Sequence, residues 1–262
     1  MDQKTNRVLA VGAHPDDVEF MCSGTMQLLK DKGLELHLAT LTGGDLGTED
    51  RTSDEIREVR LAEARVSCKE MGASYYFLGF DDFEIFYSSE AHRKVTALIR
   101  DVNPDIIITH PPQDYMADHE ITSRLVRSAC FSAPVPGFDL AGLTESRNTG
   151  SIPYLYYSQP MEGMDIYGQP IPPGMYVDIS GVLDRKEAYL ACHASQRDWL
   201  RKHHGIDEYL ESMRRWSREL GKQASDKFSR RIEYAEAFRQ HRGHAYPSEN
   251  IIASILGEKV VE

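Results

Sequence analysis

The sequence feature that most constrains the fold is an apolar run followed at once by a cluster of ionisable side chains. Residues 8–12 (VLAVG) predict a short buried strand, residues 13–19 (AHPDDVE) follow it directly, and residues 21–32 have the apolar spacing of a helix. Open α/β sheets bind their ligands at the carboxyl ends of their strands. A strand needs none of these ionisable groups in order to fold, so the pattern predicts an α/β sheet with a metal site at its first strand.

A purely structural role is the alternative for each of these side chains. Asp16 or Asp17 could cap the helix, and His14 could form a hydrogen bond with a backbone carbonyl. The rest of the sequence favours the metal site.

The order of strand, polar loop and helix recurs near the middle of the chain. Residues 105–109 (DIIIT) form a nearly continuous apolar run, which is typical of a strand buried on both faces. A polar loop over residues 110–119 ends in His119, and a helix is predicted over residues 120–131. Because the carboxyl ends of parallel strands meet at one edge of a sheet, we expect His119 to reach the first motif.

The remaining pattern completes a Rossmann-like, mostly parallel sheet flanked by helices. Strands are predicted at residues 34–41, 74–78, 154–157 and 175–179, and helices at residues 52–72 and 91–102, the first of these capped by Ser53 or Asp54. From residue 182 to about residue 240 the pattern is helical. We therefore expect one domain over residues 1–262, with a core at residues 7–131 and strands plus a C-terminal helical extension at residues 132–262.

Composition and charge restrict the partners and the compartment. The chain has 262 residues and a formal net charge of −11, which argues against nucleic acid and against an anionic membrane as partners. Its four cysteines contain no Cys-x-x-Cys pair, so we expect free thiols and no zinc–thiolate site. The sequence shows no secretory signal and no run of transmembrane length, so a cytoplasmic location is expected.

Two histidines and one acid form a set of ligands suited to one zinc ion per chain. His14, Asp17 and His119 would supply three ligands and leave the fourth position for water, and another divalent transition metal fits the same set. With Asp17 on the metal, Asp16 is free to accept a proton from the water, which indicates metal-assisted hydrolysis. An iron site of an oxygenase, with two histidines and one carboxylate, is the alternative, but it does not account for the extra acid.

Residues 13–19 resemble the signature of the PIG-L/LmbE-like family of zinc-dependent N-acetylglucosaminyl deacetylases. Residues 116–119 (MADH) are similar to a second motif of that family, which is usually His-Pro-Asp-His. The resemblance continues through Arg60, Glu63 and residues 176–180 (YVDIS) to residues 192–196 (CHASQ), so that it covers about residues 7–200. It implies a Rossmann-like sheet and hydrolysis of an N-acyl group, commonly acetyl, from an amino sugar of the N-acetylglucosamine type.

The resemblance also implies roles for individual residues. The metal ligands and the general base inferred above keep their roles. Arg60 would contact the sugar or hold the motif loops, with a helix-surface pair to Glu63 as the alternative. Asp118 would orient a neighbouring imidazole, as carboxylates beside metal ligands often do.

Met116 departs from the family pattern. Members often carry a histidine there that stabilises the tetrahedral oxyanion, and a thioether cannot donate a hydrogen bond. Losing such a donor costs about 2.7–4 kcal/mol of transition-state stabilisation, so either another donor replaces it or the activity is weak. The candidates are Tyr115 and His193, which we expect to bind substrate, and the C-terminal pair His241 and His244, one of which we expect to complete the catalytic site from this chain or from a neighbouring subunit.

The sequence thus predicts a zinc-dependent N-deacetylase that acts on a small N-acylated amino sugar or conjugate. The alternative is a family member that kept the metal, lost efficient catalysis and now binds a ligand, although the intact Asp16 argues against it. A nucleotide-binding Rossmann enzyme is disfavoured because the first strand ends in His-Pro-Asp-Asp rather than in a glycine turn. The exact substrate and the oligomeric state stay open, and a homo-oligomer is compatible with the sequence.

Overall fold

The computed structural model describes residues 6–204 and 208–262, and within them eight strands form one sheet. The strands are β1 (Arg7–Gly12), β2 (Glu35–Thr42), β3 (Ser74–Phe80), β4 (Ile106–Thr109), β5 (Tyr154–Ser158), β6 (Met175–Asp178), β7 (Ala235–Gln240) and β8 (Val260–Val261). Their order across the sheet is β3-β2-β1-β4-β5-β7-β6-β8. The first five of that order are parallel, whereas β7 runs antiparallel to β5 and β6, and β8 runs antiparallel to β6. The predicted Rossmann-like, mostly parallel sheet is confirmed.

Helices cover both faces of the sheet. Successive side chains of a strand point to opposite faces, so the apolar side chains of one strand pack against helices on both sides. The helices are α1 (Asp17–Asp31), α2 (Ser53–Met71), α3 (Ser89–Val102), α4 (Ala117–Ser132), α5 (Leu183–Ala191), α6 (Ala194–His204), α7 (Glu208–Phe228) and α8 (Ile251–Leu256). On one face, Val8 of β1 lies in a buried cluster with Met26 of α1. On the other face, Leu9 lies in a cluster with Ile99 of α3 and Leu125 of α4. Packing on both sides fixes the carboxyl ends of β1 and β4.

The N-cap of α2 is Thr52, not Ser53 or Asp54. The backbone N–H of Glu55 donates to the Thr52 hydroxyl over 3.4 Å, and the N–H of Thr52 donates to the Glu55 carboxylate over 2.9 Å. The two bonds form a capping box, which satisfies two backbone donors at once. This cap therefore defines the start of the helix that carries Arg60.

The sequence between residues 235 and 240 is a strand, although its pattern predicted a helix. Alanine and glutamate in this stretch favour helix, but β7 pairs with a neighbour on each side, as Arg239 opposite Tyr157 and Glu236 opposite Val177 show. Pairing with two strands therefore outweighs the local preference. Because β7 is antiparallel to β5, it starts at the carboxyl edge of the parallel strands and ends at the opposite edge.

No helix in the described part of the chain is long and apolar enough to cross a membrane. The four cysteines are free thiols, and Cys22, Cys68 and Cys130 are buried.

Candidate metal centre and catalytic site

The turn after β1 gathers the first motif at the carboxyl edge of the sheet. Oδ2 of Asp17 accepts a hydrogen bond of 2.7 Å from the backbone N–H of His14, which closes the turn. A Cβ on Gly12 would lie 2.8 Å from Cβ of Asp17, so glycine is needed for this close approach. Asp16 has a φ of 105°, a left-handed conformation that is costly for a residue with a side chain and that clusters at functional sites.

His14, Asp17 and His119 converge, and one donor atom of each lies within 4.8 Å of the others. Nδ1 of His14 is 3.4 Å from Oδ2 of Asp17, and Nε2 of His119 is 3.5 Å from Oδ1 of Asp17. Donor atoms bound to one zinc ion at about 2.0–2.2 Å in a tetrahedron lie roughly 3.4 Å apart. The three residues therefore fit an ion of that size, and all three line a cavity.

Asp118 contacts the ring nitrogen of His14 that faces away from Asp17. Its Oδ2 is 3.2 Å from Nε2 of His14 and accepts a hydrogen bond of 2.9 Å from the backbone N–H of Phe83. With Nε2 held in this way, Nδ1 of His14 is left to bind a metal ion. Burial lowers the pKa of His14, but hydrogen bonds with Asp118 and Asp17 outweigh it and raise the pKa to about 10. A metal ion must therefore displace a proton from this imidazole.

Asp16 lies on the cavity wall and outside the cluster of metal-binding residues. Its Oδ2 accepts a hydrogen bond of 3.0 Å from Nη2 of Arg60, and the hydroxyl of Tyr209 donates to the same carboxylate. Burial raises the pKa of Asp16, and the positive charge of Arg60 lowers it. Burial has the larger effect, so the pKa of Asp16 is raised. A carboxyl group with a raised pKa beside a metal centre is suited to accept a proton and return it.

Arg60 is buried and holds the motif loops. Its Nη2 donates to the carbonyl oxygen of Pro15 over 2.8 Å, and its Nη1 donates to the carbonyl oxygen of Gly44 over 3.3 Å. The alternative pair with Glu63 does not form, because the Glu63 carboxylate accepts hydrogen bonds of 2.8 and 2.6 Å from the backbone N–H and the hydroxyl of Ser195. Arg60 therefore joins the loops after β1 and β2 to the carboxylate of Asp16.

His110 is a residue of this site that the motif analysis missed. It directly follows β4, its ring stacks on that of His119 with centroids 3.9 Å apart, and its Nε2 is 3.0 Å from Oδ2 of Asp17. His110, Asp114 and His119 form a second cluster with metal-binding geometry, which shares His119 with the first. The first cluster is the better candidate for a metal ion because the Asp118 carboxylate supports its His14. The position of His110 after a buried strand, like that of His14, is the signal that could have revealed it.

Tyr115 reaches the cavity, whereas His193 does not. The ring of Tyr115 meets that of His119 edge-on, with centroids 5.3 Å apart, and it lines the cavity. His193, expected to bind substrate, is completely buried, with its Nε2 3.1 Å from Oε1 of Glu19. Helix α5 ends just before His193 and turns its ring towards α1, so this histidine belongs to the support of α1 rather than to the cavity wall.

The C-terminal histidines do not line the cavity beside the metal-binding cluster of their own chain. His241 follows β7, which runs towards the amino-terminal edge of β5, and its backbone N–H donates to the carbonyl oxygen of Leu155 over 2.8 Å. Its Nδ1 is 3.0 Å from the hydroxyl of Tyr157. His244 is exposed in the loop beyond. These histidines are away from the cavity because β7 runs towards the opposite edge of the sheet. For either histidine, the only prediction that stays is a contribution to the site of a neighbouring subunit.

A cavity of about 350 Å³ opens beside the metal-binding residues. Its wall combines the loops after β1, β2, β3 and β4 with the start of β7 and one side of α7. It also includes Tyr209 of α7, which no motif in the sequence marked. The cavity therefore joins the first half of the chain, which carries the ionisable groups, to the second half.

A family model described as PIG-L, GlcNAc-PI de-N-acetylase, matches residues 9–130. The matched stretch contains His14, Asp16, Asp17 and His119. The resemblance that the sequence motifs indicated is therefore confirmed.

Known proteins with this fold include deacetylases and a hydratase. The diacetylchitobiose deacetylase of Thermococcus kodakarensis is 28% identical over 198 residues, which cover 72% of this chain and 70% of that protein. The structure of N,N'-diacetylchitobiose deacetylase from Pyrococcus horikoshii matches with a TM-score of 0.75 at 24% identity, over 94% of this chain and 88% of that one. The structure of GalB, the 4-carboxy-2-hydroxymuconate hydratase of Pseudomonas putida KT2440, matches with a TM-score of 0.76 at 23% identity, over 95% and 99%. The two structural likenesses show a shared fold.

Proposed function

Since its residues 9–130 match the PIG-L family of de-N-acetylases, we propose that this chain is a zinc-dependent N-deacetylase that hydrolyses the acyl amide of an amino-sugar-type substrate. The proposal rests on one observation, the placement of Asp16 on the cavity wall beside the cluster of His14, Asp17 and His119. An acid next to a metal-binding cluster but outside it is the arrangement that metal-assisted hydrolysis requires.

In this proposal, different residues of the chain hold the metal ion and move the proton. A zinc ion held by His14, Asp17 and His119 would lower the pKa of a water molecule towards about 7. Asp16 would take the proton from the attacking water and then deliver it to the amide nitrogen as the C–N bond breaks. Arg60 would keep the Asp16 carboxylate in place through the whole cycle.

Tyr115 is our proposed donor to the oxyanion, in place of the histidine that this chain lacks. Met116 lines the cavity, but its thioether has no proton to donate. Tyr115 adjoins it, lines the same cavity and contacts the ring of His119. Although most of Tyr115 is exposed, desolvation of its hydroxyl and the negative charges of Asp17 and Asp114 raise the pKa of that hydroxyl, so it stays protonated and able to donate.

A hydratase acting on a carboxylated compound is the second candidate, because GalB shares the fold over almost its whole length. The cavity wall argues against it. The two cationic side chains of the described wall are both paired, Arg60 with Asp16 at 3.0 Å and Lys186 with Glu236. A polyanionic substrate would find no unpaired cation on this wall apart from the metal ion, and it would face several carboxylates.

Metal analysis combined with an assay of amine release tests the proposed function. We expect about one zinc ion per chain by elemental analysis and release of free amine from N-acetylglucosamine. Asp16→Asn should keep its zinc and lose about 10²–10⁴-fold in kcat, because general base catalysis contributes that much. His119→Ala should lose both zinc and activity, whereas Asp54→Asn, an exposed acid on α2, should change neither.

Two results would contradict the proposal. The first is full activity in Asp16→Asn. The second is hydration of 4-carboxy-2-hydroxymuconate by a protein that releases no amine, which would establish the hydratase instead. Zinc binding with neither reaction would favour the ligand-binding alternative.

A further inference from the structure

The cavity extends from the metal-binding residues to a mainly apolar part, which we call the inner chamber. Its wall is formed by seven mainly apolar side chains from α1, α7, β7 and the segment after β5: Phe20, Met21, Met161, Trp216, Leu220, Ala235 and Ala237. Leu220, Ala235 and Ala237 belong to a buried apolar cluster, so the part of the wall that they form is buried, whereas Met161 lies at its exposed side.

The charged groups beside the inner chamber are already satisfied. Lys186 donates to Glu236 and to the carbonyl oxygen of Phe20, the latter over 2.7 Å. The Glu236 carboxylate also accepts hydrogen bonds of 2.9 and 2.7 Å from the backbone N–H groups of Gly24 and Thr25. The pair therefore offers a ligand neither a net charge nor a free carboxylate oxygen. An uncharged, mainly apolar occupant suits the chamber, with Oε1 of Gln159 as one buried polar acceptor on the cavity wall.

Small residues on β7 leave the space open. Ala235 and Ala237 are two positions apart on the strand, so their side chains point to the same face, towards α7. Larger apolar residues are at least as favourable as alanine in a strand, yet at Ala235 and Ala237 only a methyl group projects into the space. On the opposite wall, Trp216 is held close to the backbone of Gly163, where an added Cβ would lie 3.2 Å from Cη2 of the indole.

The reaction fixes which end of a substrate the chamber receives. Hydrolysis forms a C–O bond from water and breaks the C–N bond, while Asp16 passes the water proton to the nitrogen. The products are an amine, which is charged near neutral pH, and a carboxylic acid. An ammonium group would be costly to bury among apolar side chains, whereas the outer end of the cavity is lined by the exposed residues Leu46, Phe83 and Tyr115 and opens to water. The amine must therefore leave outwards, and the acyl group must point inwards.

We propose that the inner chamber binds an acyl chain longer than acetyl, which makes this protein a deacylase of amino-sugar-type amides with an apolar acyl group. The proposal rests on the proposed function, since it deepens the identity of the same substrate. Each methylene group that enters the chamber should raise kcat/KM by up to about fourfold until the chamber is full.

A chain-length series separates this proposal from the proposed function. We would measure amine release from N-acetyl-, N-butyryl- and N-hexanoylglucosamine, and in parallel measure binding of the same compounds to zinc-loaded Asp16→Asn protein by calorimetry. N-hexanoylglucosamine should bind at least about tenfold more tightly than N-acetylglucosamine. Equal or weaker binding of the longer chain, or no binding of any compound, would overturn the chamber proposal, even if acetyl is released. Chain-length-dependent binding without amine release would support the chamber and contradict the proposed function.

Matched variants locate the acyl chain. Met161→Ala removes a wall side chain that is 40% exposed, and Met164→Ala is its control, 41% exposed and outside the cavity wall. Met161→Ala should lower the ratio of hexanoyl to acetyl binding by about threefold or more, whereas Met164→Ala should leave it unchanged. Ala237→Val should narrow the chamber and weaken hexanoyl binding by about tenfold with little effect on acetyl. The same ratio in all three variants would overturn the proposed location.

Discussion

Arg60 uses one nitrogen, Nη2, to donate both to Oδ2 of Asp16 and to the carbonyl oxygen of Pro15, the residue just before it. The guanidinium therefore fixes the carboxylate and the strained backbone that carries it in the same interaction. Both side chains are almost completely buried, so solvent screens this contact only weakly.

Replacing Arg60 should impair proton transfer without removing the metal. Lysine keeps the charge but cannot reach several acceptors in fixed directions, so Arg60→Lys should lower kcat by about 10–100-fold with zinc content unchanged. Arg65→Lys is the matched control on the same helix, since Arg65 is exposed to solvent. Equal kcat values for Arg60→Lys and the wild type would show that Asp16 needs no such support.

Tyr115→Phe should reduce the rate of the chemical step more than substrate binding. Loss of an oxyanion donor lowers kcat by about 10²–10³-fold, and the phenyl ring retains the contact with His119. Tyr167→Phe is the control, because Tyr167 is 78% exposed and lies outside the cavity wall. Steady-state kinetics on N-acetylglucosamine would check it, and a rise in KM with unchanged kcat would assign Tyr115 to substrate binding alone.

His110→Asn should weaken the metal site without removing any of its three ligands. His110 contacts both Asp17 and His119, and loss of such a supporting group typically costs about 10–100-fold in metal affinity. Competition with a chelator would measure the zinc affinity. His92→Asn, at a partly buried histidine that contacts Ser132, provides the comparison. An affinity equal to that of the wild type would remove His110 from the site.

Removing one member of the Lys186–Glu236 pair should destabilise the whole fold. Both side chains are almost completely buried, and Glu236→Gln would leave the ammonium group without its counter-charge, at a cost of about 3–5 kcal/mol in the free energy of unfolding. Glu187→Gln breaks a pair with Arg214 that lies closer to solvent, and it should cost about 1 kcal/mol or less. Urea unfolding measures the loss in the free energy of unfolding for both variants. Similar losses would show that burial does not determine how much the Lys186–Glu236 pair contributes to stability.

The buried pair of Glu19 and His193 should give stability a defined pH window. Burial opposes the charge on both groups, but each charge stabilises the other, so the pKa of Glu19 is lowered and that of His193 is raised. The contribution of Glu19 is full above its ordinary pKa of 4.5 and is lost as the pH falls through the lowered folded-state value. The contribution of His193 is full below 6.5 and is lost as the pH rises through the raised value.

The two contributions overlap fully between pH 4.5 and 6.5. The difference in Tm between the wild type and His193→Gln should therefore be largest in that range and shrink on either side of it. Thermal unfolding with a metal chelator present would measure the difference, and His92→Gln, at a histidine of α3 on the other face of the sheet, serves as the control. A difference that stays constant from pH 4 to pH 9 would show that the pair does not titrate as proposed.

The convergence of His14, Asp17 and His119 could be predicted because the rule behind it is local. His14 and Asp17 directly follow a buried strand, and His119 follows another, so the topology of parallel strands is enough to bring them together. His110 obeys the same rule and could have been found by it.

The rest of the site depends on contacts between distant parts of the sequence. β7 is a strand only because two neighbours pair with it, and its direction is what carries His241 away from the metal centre. Tyr209 reaches Asp16 through the packing of α7, which no periodicity in the sequence specifies. Lys186 and Glu236 are likewise 50 residues apart in the sequence, yet they form an ion pair beside the backbone of α1.

The continuous sheet has a consequence for how such proteins diversify. The stretch that matches the family, residues 9–130, carries every residue we assign to the metal and to proton transfer. Five of the seven residues of the inner chamber come from later in the chain: Met161, Trp216, Leu220, Ala235 and Ala237. Most of the proposed selectivity therefore lies outside the stretch that carries the metal-binding cluster. Mutation of these five residues should alter which molecule is accepted while that cluster stays intact.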